Sequence, residues 1–274
     1  MHPRLIATLL IVALIFAAGV TLSASTVAVQ YPEGSVHGFL LLSTMDGTPL
    51  AAGDLLQSVH RNQITARLVF HFKDGSLQDE TTVFTQRSSF SLVSYHMIQK
   101  GPAFSRPTEL SIASSGQVTV RYTDDKGEEK VENQHLKLPS DLANGLVLIL
   151  LKNLRPKDPL PQFSMVVATP KPRIVKLSLM SDGNEPLSLG GVKREAMHYV
   201  IKVQIGGVAG VVAPLIGKQP PDASVWIMHG DMPAFVKSET LSYSGGPLWR
   251  TELLSPTWPK SASSESKEAP SAKQ

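Results

Sequence analysis

The sequence predicts an all-β, β-dominated fold: a large curved antiparallel sheet, or an incomplete β-barrel, wrapped around one helix. Three observations predict it. About a dozen short segments alternate apolar and polar side chains with the period of two that a half-buried strand requires. Clusters of Gly, Asn, Asp and Pro punctuate those segments as turns. Only one segment carries convincing helical periodicity, so the elements sort into a β-dominated layer architecture.

The first body segment, Val36 to Glu132, reads as serial antiparallel strands. Between His60-Arg61-Asn62 and Lys73-Asp74-Gly75, residues Ile64, Ala66, Leu68, Phe70 and Phe72 share one face, while Thr65, Arg67, Val69 and His71 share the other. That strand has a buried side and a mostly wet side. Leu77 to Gln86 follows the Asp74-Gly75 turn and is rich in threonine, as a half-exposed strand is. Phe90 to Ile98 has no wholly polar face, which points to cover on both sides. Gln117 to Tyr122 alternates again, and the turn Asp124-Asp125-Lys126-Gly127 leads into Glu128 to Gln134.

The predicted helix runs from Asp141 to Lys152, with Ser140 or Asp141 capping its first turn. Leu142, Leu146, Ile149 and Leu150 share a face that Val147 and Leu151 widen, so the helix is covered on most sides. Arg155 to Gln162, with three prolines, is a linker. Strands resume at Phe163 to Thr169 and Arg173 to Ser181, with Asp182-Gly183-Asn184 read as a hairpin turn. Ala196 to Ile205, Ser224 to His229, Phe235 to Tyr243 and Leu248 to Leu254 complete the set. In these, Trp226 is read as core and Trp249 as part of a rim.

Domain organisation follows from the two ends. His2 and Arg4 precede an uncharged apolar run from Leu5 to Val20 and the small residues Ser23-Ala24-Ser25. That layout is a secretory signal peptide over residues 1–25, or an N-terminal membrane anchor if it is retained. The expected compartment is the periplasm or the extracellular space. Residues 26–255 form a single β-rich domain, and 256–274, with almost nothing to bury, a disordered tail. The chain has no cysteine, so neither a disulfide nor a lipid-modified cysteine is available.

The formal charge of +3 is dispersed, with no basic stripe, which argues against a nucleic-acid partner. Catalytic patterns are wanting as well. The histidines are scattered; only His71 and His96, with Asp79 and Glu80 on the strand between them, could meet as metal ligands, and no metal site is expected. There is no Gly-x-Ser-x-Gly elbow. Asp79 and Glu80 are adjacent, so on a strand they point to opposite faces and cannot flank one bond. No glycine-rich phosphate loop occurs. No catalytic residue and no cofactor is therefore assigned.

The least ordinary part of the body is Gly206 to Gly217, uncharged, with four glycines and one proline. It either folds over the open end of the sheet and completes the core, or forms a mobile apolar lip that touches a lipid or a partner.

The succession of an export signal, serial antiparallel strands, an internal apolar helix and a closing group of strands resembles periplasmic β-rich proteins of the lipoprotein-carrier type. The segment Phe70 to Phe84 and the stretch Lys237 to Glu252 are similar in style to exported bacterial proteins of unknown function. The resemblance implies an open, incomplete barrel whose concave sheet receives lipid acyl chains. Carried over, the lining would be Phe70, Phe72, Leu92, Leu146 and Leu150, with Val211, Leu215 and Ile216 near the mouth. The function so implied is non-enzymatic binding of an apolar ligand, such as a lipid or a lipidated envelope protein, with transient membrane contact. A structural or envelope-assembly protein without a small ligand is the alternative, and an exported hydrolase the weaker one.

Overall fold

The structure is a computed structural model that describes residues 26–155, 158–189, 192–204 and 220–254. The leader, the apolar glycine segment and the tail lie outside the described residues. In chain order the strands are β1 (Val36–Thr44), β2 (Pro49–His60), β3 (Gln63–Phe72), β4 (Leu77–Gln86), β5 (Phe90–Lys100), β6 (Thr108–Ala113), β7 (Gln117–Thr123) and β8 (Glu129–His135). They continue with β9 (Gln162–Val167), β10 (Arg173–Leu189), β11 (Val192–Gln204), β12 (Ala223–Met228), β13 (Ala234–Leu241) and β14 (Leu248–Leu253). The helix described, α1 (Val147–Lys152), lies in the connection from β8 to β9.

All 14 strands belong to one sheet in the order β8-β7-β6-β5-β4-β3-β2-β1-β14-β13-β12-β11-β10-β9. Two meanders, β1 to β8 and β9 to β14, are joined where β1 pairs with β14. The fold class is therefore as the alternation indicates, and the sheet is not closed into a barrel by a ladder between β8 and β9.

The sheet stays open, and its two ends overlap. On β9, Phe163 packs with Ile149, Leu150, Leu177 and Tyr199, whereas Val166 packs with Leu110, Ile112, Val118 and Val120 of β6 and β7. The two residues differ in parity and so point to opposite faces. A strand buried on both faces at the end of a sheet lies inside the roll. A third apolar group, with Leu40, Leu42, Phe70, Phe72, Phe104 and Trp249, fills the part of the roll under β1 to β3 and β14. There the Phe70 ring lies so close to Gly53 that a Cβ at that position would overlap it.

The connector between β8 and β9 departs from the expected helix. α1 starts only at Val147, and its N-cap, Leu146, makes no side-chain cap bond. Residues 141–144 are used otherwise. The Ala143 N–H donates to Ser164 O at 2.8 Å and the Ser164 N–H to Asp141 O at 3.0 Å. The Asn144 amide acts as one more peptide group, donating to Val166 O at 2.9 Å and accepting from the Val166 N–H at 2.8 Å. The connector thus supplies partners to the free edge of β9. Gly145, at φ 67°, then turns the chain into the helix, in a conformation that only glycine adopts at little cost.

Two register shifts also correct the sequence reading. Asp182-Gly183 is a bulge within β10, not a hairpin turn, because pairing with β11 resumes at Asn184↔Met197 and runs on to Leu189↔Val192. On β5 the pairing with β4 shifts between Val83 and Phe84. The core face accordingly changes from Phe90 to the odd-numbered Tyr95, Met97 and Gln99, which explains why neither face read as polar.

Gly145→Ala combines a left-handed backbone with a Cβ that collides with Thr82 Oγ1. It is expected to cost about 2–4 kcal/mol, lowering the Tm by roughly 5–12 °C. A thermal melt within about 1 °C of the parent would contradict this placement of the connector.

Candidate functional site

The residues expected to line a lipid cavity are found in separate apolar groups. Leu146 and Leu150 are buried in the helix-side core, with Leu92 half-buried against it, while Phe70 and Phe72 belong to the group around Trp249. Val211, Leu215 and Ile216 lie outside the described residues. Beside α1, the space bounded by Phe90, Leu146, Leu150 and Phe163 amounts to about 10 Å3, the size of one water.

The concave face also carries a polar strip on β4. Asp79 and Glu80 diverge as adjacent strand residues must. Asp79 turns outward and accepts two bonds from Arg67, at 2.9 and 2.6 Å, which hold its carboxyl below the usual carboxylate range. Glu80 turns inward opposite Leu68 and Met97. The residue is half-buried as a whole. Burial of its carboxyl pushes it up to about 7, partly offset by a hydrogen bond with Tyr95. Nearby, Gln99 donates to Gln78 Oε1 at 3.2 Å and to Ser242 O at 2.8 Å, tying β5 to the β13–β14 turn.

Asp141, Ser164 and Lys176 form a second polar cluster. Ser164 Oγ donates to Asp141 Oδ1 at 2.7 Å, and Lys176 Nζ donates to Asp141 Oδ2 at 2.8 Å and to Ser164 Oγ at 2.7 Å. A serine next to a lysine invites a nucleophilic reading, but Ser164 has no exposed surface and its proton is directed at a buried carboxylate. It has no route to a substrate. The cluster fastens the connector to β9 and β10.

His71 and His96 both contribute to the field at Asp79, yet His96 pairs with Glu109 at 2.8 Å. Among the described residues no three His, Asp or Glu side chains are placed to hold a metal ion.

A second space lies on the outer face of the sheet. Past its bulge, the β10–β11 hairpin turns back over the outer faces of β12, β13, β14 and β1, enclosing a groove of about 400 Å3. Its apolar wall comes from Leu41, Pro186, Leu187, Val236, Leu253 and Leu254. Trp226 pins the hairpin, donating from Nε1 to Glu185 Oε2 at 2.8 Å. The indole is held in turn by its cross-strand neighbours. His198 stacks on it at 4.2 Å with ring planes 8° apart, and Lys237 Nζ sits 3.9 Å from its centroid. His198 Nδ1 lies 2.9 Å from Glu185 Oε1, without the alignment of a hydrogen bond.

Sequence reasoning placed Trp226 in the core. It is buried, but on the face opposite Val225 and Ile227, where the folded-back hairpin covers it. The alternation Val225-Trp226-Ile227 was the available signal, since a strand cannot send three successive side chains to one face. Trp249, read as part of a rim, is buried with Phe72 and Phe104.

No protein-family model and no curated protein matches the chain. The chain is similar to the crystal structure of a β-barrel-like protein of a domain of unknown function, DUF1849, from Brucella abortus. The two share 8% identity and a TM-score of 0.45 over 82% of this chain and 98% of that one.

Glu80 makes stability depend on pH. Between about 4.5 and 7 the folded protein holds a proton that the unfolded chain has released, so stability falls as pH rises across that window, and the loss is complete above about 7. Glu80→Gln is expected to melt higher than the parent at pH 8 and to match it near pH 4. Thermal melts at both pH values check this; parallel profiles for the two proteins would contradict it.

Proposed function

We propose that this is a non-enzymatic exported protein that binds an apolar ligand, a lipid or the acyl chain of a lipidated partner, in the groove beneath the β10–β11 hairpin. One observation carries the reading. That groove falls within the 300–1,000 Å3 typical of ligand sites and is lined as much by polar as by apolar surface, while the space beside α1 is no larger than one water. On this reading the ligand lies on the outer face of the sheet and not in its concave one. Exported location rests on the leader-like first 25 residues.

Binding here needs no reacting group. Each methylene transferred from water to the wall contributes about 0.8 kcal/mol, so a chain of eight to ten carbons supplies roughly 6–8 kcal/mol before ordering costs.

Native mass spectrometry of the protein purified from envelope extracts tests the reading. Lipid-sized adducts are expected on the parent chain. They should fall at least about tenfold in Leu187→Asp, which puts a charge on the hairpin wall without touching the packed interior. A parent chain free of adducts, or equal occupancy of the two proteins, would contradict the groove as the site.

A further inference from the structure

We propose that the groove selects an amphiphile whose polar end is a cationic amine, with Glu252 as the group that reads it. This inference rests on the groove being the ligand site. Three charged side chains line the groove: Glu185, Lys237 and Glu252. Two of them are already engaged. Glu185 accepts from Trp226 Nε1 and faces His198 with its other oxygen. Lys237 lies over the indole of Trp226.

Glu252 has neither an ion pair nor a hydrogen bond among the described residues. It stands opposite Lys237 in the β13–β14 register and opposite Leu41 in the β1–β14 register. Lys237 Nζ lies over the Trp226 ring and makes no ion pair with Glu252, a half-buried residue that has Leu41 on its other side. The groove therefore holds two carboxylates to one ammonium, and its one uncommitted charge is negative. Leu253 and Leu254, which follow Glu252 directly, are exposed at 51% and 44% and provide the adjoining apolar surface.

An alkyl chain laid along Leu41, Leu187 and Leu254 brings its end to Glu252. An ammonium there gains a charge-assisted hydrogen bond. A carboxylate or phosphate meets a like charge there. Hydrogen bonds to charged groups of this kind contribute enough to separate the two ligand classes by about tenfold or more in affinity.

The test uses the full chain and two probes of equal length, decylamine and decanoate, titrated calorimetrically at pH 7 below their micelle-forming concentrations. Decylamine is expected to bind at least about tenfold tighter than decanoate. Glu252→Gln should bring the two to within about threefold. Glu239→Gln, which removes a carboxylate engaged with Arg250 on the same face, should leave the preference intact. Equal binding of the probes, tighter decanoate, or a preference that survives Glu252→Gln would overturn the assignment while leaving the groove as a site. Binding of neither probe would overturn the groove itself, and this inference with it.

Discussion

An open sheet that rolls up must satisfy the strand edge it carries inside, and residues 141–144 meet that requirement for β9. Buried backbone groups left without partners cost about 1–3 kcal/mol each. Here the main chain of Asp141 and Ala143 serves Ser164, and the Asn144 side chain serves both polar groups of Val166. Asp141, Ser164 and Lys176 lock the arrangement from the side. With the edge satisfied, Val166 can press against β6 and β7 while Phe163 presses against α1, and the roll is solid on both sides of β9. The outermost strand, β8, is managed differently: Glu129-Lys-Val-Glu-Asn-Gln-His135 is too polar to invite another strand.

The same strand that anchors the interior also shapes the exterior. β10 holds the seam through Lys176 near its start and, after the Asp182-Gly183 bulge, carries Glu185 onto Trp226. The bulge matters because it lets one long hairpin belong to the roll at one end and fold over it at the other. Trp226 fixes the fold-back by offering its edge to Glu185 and its faces to His198 and Lys237. The groove is thus bounded by rigid sheet on one side and a pinned arm on the other.

Much of the fold is legible in the sequence. The face shared by Ile64, Ala66, Leu68, Phe70 and Phe72 points inward as alternation requires, and the divergence of Asp79 and Glu80 follows from strand geometry alone. What alternation does not encode is which sheet residues end up beneath another part of the chain. Asp141 before an apolar run has the pattern of a helix cap, and only the nearness of Ser164, distant in sequence, turns it into an edge partner. Asp-Gly at 182–183 suits a tight turn and a bulge equally, and the choice is made by the continued pairing of Asn184 to Leu189 with β11. Trp226 has the look of core because its cover comes from Glu185, a contact no local window contains. The outer groove has no signature in the sequence for that reason: it exists only once β10 and β11 have folded back.

The account stands on β9 being an interior strand whose edge is served by the connector. Native-state hydrogen exchange measures this most directly at the amides of Ala143, Ser164 and Val166. The account predicts that they exchange only through global opening, within about 1 kcal/mol of the protection shown by Leu110 and Val118 in β6 and β7. Exchange of these three at the rate of the exposed β8 amides, with β6 and β7 still protected, would contradict it.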